Sequence, residues 1–211
     1  MSARWYPLSA NLALAIALAG CATPDKPTRA TLYDFGPGGA PAAEAHATSQ
    51  PPLVLPDIEA AGALDGTAML YRLGYADEHE LRPYAQARWS AAPAQLIRQR
   101  LRQQLGRDRA VLDANESASL ARAGRLGPRV LHVEVEEFSH WFESPTASWG
   151  LLRLRATVLD DTSAGERLLS QRSFAVRKPA PAPDAAGGAQ ALASATDEAA
   201  EQIRQWLAGL H

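Results

Sequence analysis

Cysteine occurs once in 211 residues, at Cys21, so no disulfide can form within the chain and its stability has to come from a packed core. Charge of one sign is also lacking: 21 Lys and Arg against 23 Asp and Glu leave a net charge of −2, which removes any global electrostatic case for nucleic acid. No apolar run reaches the about 20 residues needed to span a bilayer. The glycine-rich stretch Gly36-Pro-Gly-Gly39 has no Gly-Lys-Ser/Thr ending and is no phosphate loop. There is no Gly-x-Ser-x-Gly, no dispersed metal-ligand set and no marked carboxylate pair, so neither a catalytic residue nor a cofactor is assigned. The densest group of possible metal ligands, Asp77-Glu-His-Glu80, is contiguous, and nothing distant completes a shell; it reads as a solvated hairpin loop.

What is present begins with the first 21 residues. Arg4 precedes the apolar run Leu12 to Ala19, and small residues follow. This is the layout of a secretory signal, too short to be a membrane span. Leu18-Ala-Gly-Cys21 resembles a bacterial lipobox, which implies cleavage before Cys21 and acylation of its thiol and new amino group. The competing reading is a plain signal with a chance cysteine. Ala22 rather than Asp after the cysteine implies, in a diderm cell, sorting to the outer membrane facing the periplasm. The expected organisation is a signal peptide over 1–20, a lipidated Cys21 with a flexible tether over 21–30, and one periplasmic domain over 31–211. Nine residues of tether reach ~30 Å at ~3.3–3.6 Å each.

Along the domain, Thr31–Phe35 is a candidate strand with Leu32 facing away from Tyr33 and Phe35, and Gly36–Pro52 a mobile loop. Leu53–Ile58 is a second strand that Pro56 confines to an edge or stops. Ala68–Arg72 and a short Glu80–Tyr84 follow. Ser90 is the expected cap, and Pro93 the first-turn proline, of a helix whose Leu96, Ile97, Leu101 and Leu105 share one face. Arg98, Arg100 and Arg102 read as its solvated side. Trp89, just before it, is expected to wedge between helix and sheet, an exposed partner-binding aromatic being the alternative.

Arg129–Phe142 alternates cleanly: Leu131, Val133 and Val135 on one face, His132, Glu134 and Glu136 on the other, with a slip at Glu136-Glu137 that a bulge would explain. The return strand Ser148–Leu159 turns Leu152, Leu154, Ala156 and Val158 inward, and hairpin counting sets Glu136 opposite Arg155. Arg167–Arg177 completes a meander anchored by Leu169, Phe174 and Val176. His132 and His140 lie ~26 Å apart at about 3.3 Å per residue, too far to share a metal, and each reads as a polar-face or rim residue. After a Lys178–Gly188 linker, a helix over about Gln190–Leu210 carries the stripe Leu192, Ala195, Ala199, Ile203, Trp206 and Leu210 of a helix packed on a sheet. The fold class is therefore α/β of the α+β kind: a mixed, largely antiparallel sheet with a meander and two main packed helices.

The order of these parts, with Leu53-Val-Leu-Pro-Asp-Ile58, Met69-Leu-Tyr-Arg72, Arg88-Trp-Ser-Ala-Ala-Pro93 and Val133-Glu-Val-Glu-Glu-Phe138, resembles the ABC-type transport auxiliary lipoproteins, the PqiC-like family. The resemblance implies a non-catalytic outer-membrane lipoprotein that works beside an inner-membrane ABC permease and ATPase and their MCE-domain protein, moving lipid or other apolar cargo. It also leaves room for a homo-oligomer. The alternatives are a carrier that itself encloses an acyl chain, marked by a contiguous apolar cavity, and an enzyme whose catalytic residues are dispersed in sequence.

Overall fold

The computed structural model describes residues 29–37, 50–117, 128–162 and 165–210. The expected signal segment, Cys21, most of the expected tether and most of the Gly36–Pro52 loop lie outside the described residues. The strands are β1 (Thr31–Tyr33), β2 (Leu53–Val54), β3 (Glu59–Ala60), β4 (Ala68–Leu73), β5 (Asp77–Trp89), β6 (Val111–Leu112), β7 (Arg129–Phe142), β8 (Ser148–Thr162) and β9 (Gly165–Pro179). Two long helices, α1 (Pro93–Leu105) and α2 (Ala185–Ala208), accompany them. All nine strands join one mixed sheet.

The spine is β7. One edge pairs antiparallel with β8, which pairs antiparallel with β9, giving the expected meander. The other edge takes three short parallel strands in succession: β2 at Arg129–Val130, β3 at Glu134–Val135 and β4 at His140–Phe142. The 53–60 segment therefore touches β7 twice, and Pro56, which has no N–H to give a ladder, lies in the gap. Beyond β4 come β5, antiparallel, and β1, parallel to the end of β5; β6 lies outside β2.

The slip at Glu136 is a bulge: Val135 pairs with Leu154 and Glu137 with Arg153, leaving Glu136 over. Before it the odd-numbered residues face the helices, with Leu131 and Val135 at 0% exposure. After it Phe138 and His140 do so. The cross-strand partner of Arg155 is Glu134, not Glu136; the turn register, with Phe142 opposite Ser148, accounts for one residue of the difference and the bulge for the other. The side chain still reaches Glu136, with Nε at 3.1 Å and Nη2 at 2.5 Å, and lies 3.7 Å from Glu134.

Both helices cover one face. Leu152, Leu154, Ala156 and Val158 of β8 meet Leu192, Ala195, Ala199 and Ile203 of α2, all fully buried. A short-side-chain helix face permits close approach, and Gly150 shows how close: a Cβ there would lie 2.5 Å from the backbone of Ala191 and Leu192. α1 buries Leu96, Ile97, Leu101 and Leu105 as its spacing requires. Trp89 is 1% exposed and packs against Phe35 (5.7 Å, edge to face) and Phe138 (5.4 Å), as expected of a wedge in the core. Leu32 points outward while Tyr33 and Phe35 pack inward.

Four local expectations are corrected. β5 is one 13-residue strand that absorbs Asp77–Glu80 and Ala87–Trp89; the turn precedes it at 74–76. Pro83 is tolerated in it because the far edge of β5 is paired, by β1, only at Ala87–Trp89, and the register with β4 shifts close by, between Ala68 and Leu70. Ser90 does not cap α1: the cap position is Ala92, with no side-chain bond, and the Ser90 amide instead donates to the Tyr33 carbonyl at 2.8 Å. Arg100 is buried rather than solvated. It donates to Asp197 Oδ1 at 3.1 Å and to the Phe35 carbonyl, joining α1 to α2 and to the end of β1. Finally, α2 starts at Ala185, inside the presumed linker, because Asp184 caps it by accepting from the Gly187 amide at 2.7 Å. Gly187 and Gly188, read from sequence as linker glycines, are there for proximity: Cβ atoms would meet Ala182 at 2.1 Å and the His140 ring at 2.4 Å.

Candidate functional site

Among the described residues the sheet's second face carries no helix, and its composition follows from the bulge. Beyond Glu136, β7 turns Glu137, Ser139 and Trp141 to this side. The register then sets Arg153 opposite Glu137, Leu151 opposite Ser139 and opposite Arg177 of β9, and Trp149 opposite Trp141. Arg72 of β4 lies beside Trp141. Arg72, Glu137, Trp141, Leu151, Arg153 and Arg177 line an open groove of about 560 Å³, whose rim is Glu78 and His79 at the start of β5.

Arg72 is the clasp of this groove. Its guanidinium meets Glu137 in a two-pronged pair, Nε to Oε1 at 3.0 Å and Nη2 to Oε2 at 3.1 Å, with both side chains mostly buried. Its Nη1 donates to the carbonyls of Glu78 and His79 at 3.2 and 3.3 Å. Ser139 donates to Glu137 Oε1 at 2.5 Å. Both oxygens of Glu137 are thus engaged, and Arg153, directly across the strand, makes no ion pair with it. Among the described residues Arg153 has no acidic partner at all. Arg177 also lacks one and lies over the Trp149 ring, 5.3 Å from its centre. Gly74 brings the β4–β5 turn onto the Trp141 indole, 2.4 Å from where a Cβ would be.

Below the bulge the same face answers its arginine with carboxylates. A smaller groove of about 240 Å³ is lined by Glu59, His132, Glu134 and Arg155, with Thr157 and Gln171 bonded to each other at 2.8 Å. The hydrogen bond from Arg155 to Glu136, with the nearby Glu134 charge, holds that guanidinium above its ordinary pKa.

The two histidines part company. His132 is exposed, as expected. His140 is not a rim residue: it is fully buried beneath Gly188 of α2, its ring against Phe142 (4.4 Å) and Tyr84 (6.2 Å). Nδ1 shares a 2.8 Å hydrogen bond with Tyr84 Oη, while Nε2 has no protein partner. Burial lowers its pKa to about 4 against a weaker opposing pull from Asp184, so it is neutral at physiological pH. The bulge explains the misplacement, because unbroken alternation puts His140 on the open face.

The remaining sequence candidates are structural. Asp77–Glu80 is strand, with Glu80 paired to Arg82 and Asp77 Oδ1 accepting from the His79 amide. Among the described residues no group of three or more His, Cys, Asp or Glu is placed to hold a metal ion, and no helix is long and apolar enough to cross a membrane. The arginines of α1 clasp neighbours: Arg98 donates to the carbonyls of Pro56 and Leu55, and Arg102 to Glu116. Sequence reasoning missed the upper groove. Its signal was available, since shifting the register by the suspected bulge brings Trp141, Trp149, Arg153 and Arg177 together.

Residues 33–204 match the family described as the ABC-type transport auxiliary lipoprotein component. The chain belongs to this family. Solved structures share the fold of this auxiliary lipoprotein. A Xanthomonas campestris protein is 20% identical with a TM-score of 0.67, over 84% of this chain and 94% of that one. An uncharacterized protein at 13% identity has a TM-score of 0.60, over 85% and 99%. A hypothetical protein from Chlamydia trachomatis at 9% identity has a TM-score of 0.50, over 76% and 97%. No curated protein matches the sequence. Family membership makes this a lipoprotein associated with an ABC transport system.

Proposed function

We propose that the auxiliary lipoprotein acts by contact rather than by chemistry. Acylated at Cys21 and held at the outer membrane facing the periplasm, it docks the MCE-domain protein of an inner-membrane ABC permease and ATPase for transfer of lipid or other apolar cargo. The observation that carries this reading is the family match over 33–204. The lipobox-like Leu18-Ala-Gly-Cys21 and the Ala22–Ala30 tether support it, since a domain on such a tether stands off its membrane and meets a partner at raised effective concentration. Two or more acyl chains make such an anchor stable where one is marginal. A homo-oligomer would multiply the contacts further.

The acyl-carrier alternative has less support. It needs room between helices and sheet, and that space is filled by Phe138, Leu152, Leu154, Leu192 and Ile203, none more than 2% exposed.

Crosslinking in intact cells tests the proposal. The chain is expected to capture the MCE-domain protein encoded with its transporter, and Cys21→Ser to lose acyl labelling and membrane fractionation. Absence of capture under conditions where the transporter works, or robust hydrolysis of lipids or esters by the purified chain, would overturn it.

A further inference from the structure

We infer that the upper groove of the open face is a binding site for the anionic phosphodiester headgroup of a phospholipid. Arg153 and Arg177 would grip the phosphate, and Trp141 and Leu151 would support the adjoining glycerol and acyl stem.

The argument starts from charge. Lone surface arginines are ordinary, but this pair is built. Arg177 faces Leu151 directly and Arg153 stands two residues further along β8, on the same face. Such diagonal neighbours lie ~7–8 Å apart at the backbone, a spacing that two guanidiniums can close around one anion. The carboxylate that could have neutralised Arg153 is committed to Arg72 and Ser139. Arg177 is steadied by the Trp149 ring instead of by an acid. The lower groove on the same strands shows the contrast, because there Arg155 is answered by Glu134 and Glu136.

The floor then selects among anions. Trp141 and Leu151 are partly exposed apolar surface lining the same groove as the two cations, Leu151 directly across from Arg177. A free phosphate would gain nothing from them, whereas a headgroup with its glycerol stem gains on both. Aromatic side chains beside cations are also the chemistry of the membrane interface. The volume, about 560 Å³, is within the ~300–1,000 Å³ usual for small-molecule sites.

This deepens the reading that the cargo is lipid, and its test is separable from that of docking. The full lipidated chain, with benzoylphenylalanine replacing Glu78 at the groove rim, is reconstituted in vesicles of phosphatidylcholine alone or mixed with phosphatidylglycerol. Lipid adducts are weighed after illumination. Phosphatidylglycerol adducts are expected to exceed phosphatidylcholine adducts by about tenfold and to fall about tenfold in Arg153→Gln/Arg177→Gln, a loss equivalent to one decade of affinity. Arg153→Lys/Arg177→Lys should retain most of them. Inorganic phosphate at millimolar concentration should not compete. Equal labelling of both lipids, indifference to the glutamine pair, or competition by free phosphate or by a polyglutamate peptide stronger than by added phosphatidylglycerol would overturn the assignment. The glutamine pair is expected to melt normally and to capture the MCE-domain partner normally, so a failed headgroup site and a failed docking reading give different results.

Discussion

The two faces of the β7–β8–β9 meander come from the same three strands and obey different rules. The helix-covered face is governed by shape. Its β7 and β8 residues are buried and, His140 apart, mostly apolar, and they are set against a helix so close that Gly150 and Gly188 tolerate no Cβ. The open face is governed by charge accounting: below the bulge each arginine is answered by a carboxylate, and above it two are not. A protein that needs one rigid frame and one receptive surface can thus place both on a single sheet, because alternate residues of a strand are independent choices.

Substitutions should reveal this difference as a falling series. Gly150→Val forces a branched side chain into the backbone of α2 at Ala191 and Leu192. A loss of at least about 4 kcal/mol is expected, read as a collapsed urea midpoint or no folded product. Trp89→Ala empties a site closed by Phe35 and Phe138 and should cost ~3–5 kcal/mol; a variant of normal melting temperature that has lost its partner would instead mark Trp89 as an interface residue. Arg72→Ala, the strongest polar cut on the open face, leaves a mostly buried Glu137 with Ser139 but without its ion-pair partner, for about 1.5–3 kcal/mol.

His140 sharpens the comparison through pH. Its folded pKa of about 4 lies below the unfolded value of about 6.5. Between those values the unfolded chain takes up a proton that the folded chain refuses. Stability from this group is therefore full above pH 6.5 and lost as pH falls towards 4. From pH 7 to pH 5 the loss should be about 2 kcal/mol at 1.36 kcal/mol per pH unit. Denaturation of His140→Phe at both pH values should show that increment missing. At the small end, Arg155→Ala removes a half-exposed pair and should change stability by less than about 1 kcal/mol; a larger loss in a urea titration would show that the lower groove also belongs to the frame.

Periodicity made the meander, the α1 stripe and the α2 stripe legible, since β7, Leu96 to Leu105 and Leu192 to Ile203 each repeat at their element's period. Three features were not. The length of β5 was hidden by Pro83 and by a charged Asp77–Glu80, both of which argue against strand locally and are overruled by pairing with β4. The start of α2 was hidden by Gly187 and Gly188, whose role is contact with residues distant in sequence. The groove and the burial of His140 were hidden by a single register shift, visible as a slip at Glu136-Glu137 but not followed to the end of the strand. Local chemistry was readable; long-range proximity had to be seen.

That shift also gives β7 something like a reading frame. Glu136 is one residue, yet everything from Glu137 to Phe142 takes its side of the sheet from it. Shortening the strand by this residue would not trim a loop. It would invert the far end, sending His140 and Phe142 to water and pressing Trp141 and Glu137 against α2. Point changes on either side of Glu136 can accumulate independently, whereas an insertion or deletion anywhere in the strand exchanges frame for surface at a stroke. Length, rather than identity, is the property of β7 that descent can least afford to vary.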